Sequence, residues 1–211
     1  MTPARGDHAA RRLEVSEAVW RVLSSRGFGG LTLRAVAAEM GSSTGLLTHY
    51  FPNKRALVAY ALDELDRRSL DRPRRNAPAD GAPLPPAGLP RLRAALLDIL
   101  PLDDAATAGN RIWVGSWDAS LADPDLAAAH AVRYARAREM LAEHVAAAQR
   151  LGELPDRLAP GELAAGAQAF VLGLVVQALL APSAYPPERQ TELLDAYLAG
   201  LAATPAERGA P

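Results

Sequence analysis

The chain has 211 residues, 49% of them hydrophobic, a formal net charge of -1 and no cysteine. That length allows one or two globular domains with real cores, and the missing cysteine excludes disulfides, thiol chemistry and cysteine-ligated metal. Residues 1–12 carry Arg and His without an apolar core segment, so no signal peptide is expected, and a cytoplasmic location is the default.

In chain order, Asp7 to Arg26 has apolar residues at helical spacing (Leu13, Val15, Ala18, Val19, Val22, Leu23), and Gly27 supplies a stop. Phe28 and Leu31 follow as core plugs. Thr32 is placed to cap a two-turn helix that Gly41 ends. Ser42 and Ser43 offer a second cap for a short segment from Thr44 to about Tyr50, Pro52 breaks it, and Asn53 caps a helix reaching Arg68. Two short helices around a glycine turn make a helix-turn-helix pattern.

The stretch 72–90, "RPRRNAPADGAPLPPAGLP", is too rich in Pro, Gly and Ala for a packed element and reads as a linker-like loop. Helices are then expected over about 89–100, 103–121, 124–151, 160–180 and 187–203. The most apolar window, Leu163–Ala181, is interrupted by Gly166, Gln168, Gly173 and Gln177, which favours a buried or interface helix over a membrane span. No segment alternates as a strand would, so the fold class is all-α.

Charge is uneven. Up to Arg75 there are 13 Lys plus Arg against 8 Asp plus Glu; beyond it there are 10 against 16. A basic module followed by an acidic remainder implies different partners, polyphosphate being the natural one for the first.

The short helix near Thr44 carries the sharpest chemistry. Leu46, Leu47 and Phe51 can turn inward, which leaves Thr44, Gly45, Thr48 and His49 outside. A helix entering a major groove needs small and polar groups of this kind: Gly45 permits close approach, and Thr48 offers either a methyl to thymine or a hydroxyl to a base edge. Thr32, Ser43, the Tyr50 hydroxyl and the Lys54 ammonium are phosphate-type groups, while Arg34 can reach a base edge or a phosphate. Arg5, Arg11 and Arg12 fit either an N-terminal arm or an ordinary charged face. Tyr50 and Phe51 also suit a core, and His49 a solvated helix end.

The run "LTLRAVAAEMGSSTGLLTHYFPNKRAL", Leu31 to Leu57, resembles the DNA-binding segment of TetR-family transcriptional repressors, with the turn glycine, the short helix, "HYF" and "NK" at the family's spacing. The resemblance covers about the first quarter of the chain. It implies an N-terminal three-helix DNA-binding domain over 1–52 and a helical effector-binding and dimerisation domain over 53–211. It also puts Thr44, Gly45, Thr48 and His49 at base-facing sites and Thr32, Ser43, Tyr50 and Lys54 at phosphate-facing ones. Many members have Tyr where this chain has Thr48, so readout there is expected to differ. No cofactor and no metal site is expected.

In the acidic half, "RIWVGSWDASLADPDL" (111–126) and "HAVRYARAREML" (130–141) resemble the BetI-like, choline-regulator branch of that family. Trp113 and Trp117 are four apart and share a helix face; with Leu97, His130, Tyr134 and Asp118 they either line a small-molecule pocket suited to a cation or belong to the core. Phe170, Leu174 and Ala178 on one helix and Leu194, Tyr197 and Leu201 on the last are expected to form a two-fold four-helix interface, the alternative being a core face with a mildly apolar outside.

The expected function is a homodimeric repressor bound to a palindromic operator in double-stranded DNA and released by a small-molecule effector. An enzyme is the rival reading, but His8, His49, His130 and His144 are scattered and "GSSTG" lacks a strand-to-helix nucleophile setting. A helical dimeric adaptor that binds only protein is the other.

Overall fold

The computed structural model describes residues 5–71 and 83–202, with side chains described over 10–68 and 83–202. Arg5 and His8 as side chains, Ala203, and residues 72–82 of the linker-like stretch lie outside that set. All regular structure among the described residues is helical: α1 Arg5–Arg26, α2 Leu33–Glu39, α3 Thr44–Thr48, α4 Lys54–Asp71, α5 Leu89–Leu97, α6 Asp104–Gly115, α7 Trp117–Leu121, α8 Pro124–Arg150, α9 Pro160–Leu180 and α10 Pro187–Leu201, with a 3-10 turn at Phe28–Gly30. The chain divides into two compact units, one of residues up to Asp71 with Arg111–Ala128, the other of Arg72–Asn110 with Ala129–Pro211.

The first unit is built on a stripe of α1. Val15, Ala18, Val19, Val22 and Leu23 are all at most 2% exposed and meet Val36, Leu47, Leu57 and Leu62. Burying each large side chain of that kind stabilises by about 1.5–3 kcal/mol relative to leaving it in water. Leu13, expected on the stripe, is instead 61% exposed. At 100° per residue the positions in line with Val15 are 11 and 12, not 13, so the apolar stripe continues into two arginines.

Local chemistry fixes the turns. Thr32 Oγ1 accepts from Ala35 N at 3.0 Å and caps α2. Gly41 closes it at φ +60°, with Ser42 N donating to Ala37 O (2.9 Å) and Gly41 N to Ala38 O (3.1 Å). This crossed pair needs a left-handed residue, which glycine adopts without the Cβ penalty. Asn53 Oδ1 accepts from Ala56 N at 2.9 Å and caps α4. Between α1 and α4 lies a polar clamp: Glu64, 5% exposed, accepts from Arg67 and Arg68, and Arg68 also pairs with Glu17.

The helix expected over 103–121 is two helices. Gly115 ends α6, and Ser116 turns its hydroxyl back onto Trp113 O at 2.6 Å while its N–H is shared between Ile112 O and Trp113 O, so the ladder is interrupted there.

In the second unit α5, α9 and α10 pack on one another. Gly88, at φ +92°, lets the Glu153 carboxylate accept from Leu89 N at 2.7 Å and so cap α5. Arg93 forks onto both oxygens of Asp195 at 2.6 and 2.9 Å, joining α5 to α10. Gln168 Nε2 donates to Tyr134 O at 3.0 Å, joining α9 to α8.

α9 is the one helix among the described residues long and apolar enough to cross a membrane, with mean hydropathy 2.0 and 44% of its most apolar window buried. Its inner face consists of Leu163, Ala164, Ala167, Gln168, Val171, Leu174, Val175 and Ala178. Three of the residues expected at an intermolecular interface are therefore core residues of the protomer: Leu174 is 4% exposed, Ala178 5% and Leu194 0%. The helix is apolar all round, so its sequence carries no contrast to tell the inner face from the outer. Phe170, Tyr197 and Leu201 are half-buried, and the Phe170 and Tyr197 rings stack at 4.2 Å.

Candidate nucleic-acid interface

α3 is two-sided. Leu47 is fully buried and Phe51, just past the helix, is 4% exposed; they anchor the segment in the core of the first unit. Ser43, Thr44, Gly45, Thr48 and His49 are exposed, and Leu46 is half-buried. Ser43 occupies the cap position with its hydroxyl unused for capping. Thr48 Oγ1 donates to Gly45 O at 2.8 Å, so its one proton is taken while the exposed side chain keeps its methyl and the oxygen lone pairs for contacts outside the protomer. A Cβ on Gly45 would meet no atom closer than Ser43 Oγ at 3.8 Å, so the glycine is not demanded by packing within the protomer.

The remaining candidates surround this surface on neighbouring elements. Thr32 and Arg34 are exposed at the start of α2, and Lys54 is exposed at the start of α4. Thr32 uses an oxygen lone pair as cap acceptor, which leaves its hydroxyl proton to donate. Tyr50 is half-buried, its ring 6.5 Å from that of Phe51, which itself lies 5.1 Å from Tyr60. Tyr50 therefore combines the two readings open to it: a ring packed on the core and an edge at the surface.

One charged group beside this surface had no assignment from sequence. Arg55, next to Lys54, places Nε 2.9 Å from Asp123 and also pairs with Asp125. Asp123 uses its other oxygen to accept from Asp125 N and Leu126 N, capping α8. Arg55 is thus neutralised by carboxylates some seventy residues on, and no local sequence signal marks such a pair.

The residues expected to contact an effector fall in two groups. Trp113, Trp117 and Asp118 belong to the first unit; Trp113 packs against its core, and the break at Ser116 puts the two tryptophans on separate helices. Leu97, His130 and Tyr134 belong to the second unit, where Leu97 and His130 are each 5% exposed and the His130 and Tyr134 rings lie 5.9 Å apart.

Residues 15–61 match the family described as bacterial regulatory proteins, tetR family, and residues 89–203 match BetI-type transcriptional repressor, C-terminal. Among curated proteins the chain is similar to the HTH-type transcriptional regulator PksA of Bacillus subtilis, 32% identical over 111 residues, a match spanning 53% of this chain and 52% of that one. It is also similar to the regulator BetI of Burkholderia mallei, 27% identical over 95% of this chain and 98% of that protein. Among solved structures, a transcriptional regulator from Rhodococcus sp. Rha1 is 26% identical with a TM-score of 0.73, covering 91% of this chain and 98% of its own. A regulator from Saccharomonospora viridis in complex with choline shares the fold at 21% identity and a TM-score of 0.80, over 93% and 99% of the two chains. The second family match alone spans more than half of the sequence, and the chain belongs to the TetR family of transcriptional regulators, with a C-terminal region of the BetI type.

Proposed function

We propose that this regulator is a repressor that works as a homodimer in the cytoplasm, each protomer setting α3 in a major groove of one half of a palindromic operator. The observation that carries the reading is the division of α3: Leu47 and Phe51 hold it in the core while Thr44, Gly45, Thr48 and His49 stand clear. Small outward groups let the helix start come close to base edges. Thr32, Ser43, Tyr50 and Lys54 would hold flanking phosphates, and Arg34 either a phosphate or a base edge.

Dimerisation is assigned to the outer faces of α9 and α10. Ala165, Gly166, Ala169, Gly173 and Leu180 are exposed along one side of α9, as are Ala196, Ala199 and Gly200 on α10. Phe170, Tyr197 and Leu201 remain at the edge of that surface. An apolar helix with less than half of its most apolar window buried has a face that a second copy would cover. Small side chains allow the helices to approach closely.

The effector we infer is a compact organic cation. Two tryptophans with the Asp118 carboxylate suit a quaternary ammonium group, and one protein of the same fold was solved with choline. Effector binding would favour a state in which the two heads no longer match the half-site spacing, so DNA is released by population shift. Footprinting of genomic fragments retained by the protein tests the reading: two protected patches related by a dyad, lost on adding effector, are expected. One patch, or none, rejects the dimeric repressor.

A further inference from the structure

Residues 10–68 contain eight arginines and Lys54. Most of these charges are already neutralised. Arg11 pairs with Glu14, Arg21 and Arg26 with Glu39, Arg55 with Asp123 and Asp125, and Arg67 and Arg68 with Glu64. Among the described residues, only Arg12, Arg34 and Lys54 of this segment have no carboxylate partner. Arg34 and Lys54 are the two cations that the DNA-binding reading already uses.

Arg12 is the third. It lies on α1 three residues before Val15, on the same helical stripe, so it extends the inward side of the helix past the edge of the apolar core. There it lines a cleft of 270 Å³ with Val15, Tyr50, Phe51 and Tyr60. No carboxylate lines that cleft. A guanidinium there, with five N–H donors in a planar fork, has geometry for an oxyanion and none among the described residues to bind. Tyr50, immediately beyond the recognition helix, lines the same cleft and carries a phenolic hydroxyl.

We propose that Arg12 and the Tyr50 hydroxyl together bind one phosphate of the operator backbone, as a clamp on the flank of α3. The proposal rests on the DNA-binding reading above. A phosphate matches the fork of the guanidinium and accepts from the phenol at once, and it fixes the angle at which α3 enters the groove.

The test uses the full chain and a duplex that the wild-type protein selects from a randomised pool, titrated across a range of salt. Arg12→Gln is expected to lower the log-log salt slope by about 0.9, the value for one lost phosphate contact. Its melting temperature is expected to stay that of the wild type, since no partner is lost. Arg12→Lys should restore the slope, and Tyr50→Phe should keep the slope while weakening binding about threefold to tenfold. Arg150→Gln makes the same change of net charge in the second unit and should leave the slope alone. A wild-type slope for Arg12→Gln alongside a reduced slope for Lys54→Ala overturns the Arg12 site alone. An equal drop in Arg150→Gln also overturns it, since the effect is then one of net charge. If the wild type selects no duplex, the DNA-binding reading and the clamp both fall.

Discussion

Arg68 donates from Nε to Glu64 at 2.7 Å and lays its guanidinium 4.6 Å from the centre of the Trp20 ring, so one side chain of α4 is held by a buried carboxylate and by an aromatic face of α1. Burial by itself raises the Glu64 pKa, but hydrogen bonds from Arg67, Ser16 and Arg68 outweigh it and hold the carboxyl below its ordinary 4.5. A carboxyl depressed on folding adds stability that is complete above its unfolded pKa and is lost as pH falls through the folded value. The first unit is therefore expected to lose stability progressively below about pH 4.5. Glu64→Gln should cost about 2 kcal/mol at pH 7, discounted for the partial exposure of the arginines, and should flatten that acid limb. Urea midpoints at pH 7 and pH 4 check both, and an acid limb as steep in the variant as in the wild type would rule Glu64 out as its source.

Gly88→Ala should destabilise the second unit. A Cβ there would lie 2.1 Å from Glu153 Oε2, and the φ of +92° is itself strained for any side chain. Losing the cap on Leu89 N and adding that strain costs about 2–4 kcal/mol. Thermal melting followed by circular dichroism measures it; a melting temperature within one degree of wild type would show that the loop rearranges freely.

At Thr48 the methyl and the hydroxyl can be separated. The hydroxyl proton is already given to Gly45 O, so Thr48→Val keeps the methyl and is expected to retain discrimination between operator and random duplex. Thr48→Ala removes the methyl and should reduce discrimination by about fourfold, the worth of one buried methyl group. Competition binding distinguishes them. Equal losses in both variants would assign the readout to the Thr48 oxygen.

For self-association, Ala169→Glu places a charge on the exposed side of α9 and should give a folded monomer by light scattering. Leu174→Ala empties a core position instead and should cost about 2–5 kcal/mol of stability while keeping the assembled state at concentrations where the protein is folded. A dimer undisturbed by Ala169→Glu would move the interface away from this face.

What could be read from sequence was local. Thr32, Gly41 and Asn53 each act within four residues through a cap or a positive φ, and the turn between α2 and α3 follows from them. The two-sidedness of α3 was legible because Leu47 and Phe51 contrast with the polar residues between and beside them. The inward face of α9 was not, since a helix apolar on every side has no phase to detect. Nor were the Glu17 partner of Arg68 and the Asp125 partner of Arg55, which lie 51 and 70 residues away in sequence and meet only when α1 and the α7–α8 turn fold against α4. The break at Ser116 depends on a hydroxyl bonding backward, a choice that Ser in a helical context leaves open.

The central claim is that the outward face of α3 reads base pairs in two equivalent halves. Sequencing the duplexes that the full chain retains from a randomised pool tests it most directly, with Gly45→Ala run beside the wild type. The account predicts a palindromic consensus whose half-sites are centred about one helical turn, or a multiple of it, apart. It predicts that Gly45→Ala, which folds normally because its Cβ meets nothing closer than Ser43 Oγ at 3.8 Å, weakens the consensus at matching positions in both halves. Retention of duplexes without a shared sequence, or a consensus that Gly45→Ala leaves untouched, would contradict it.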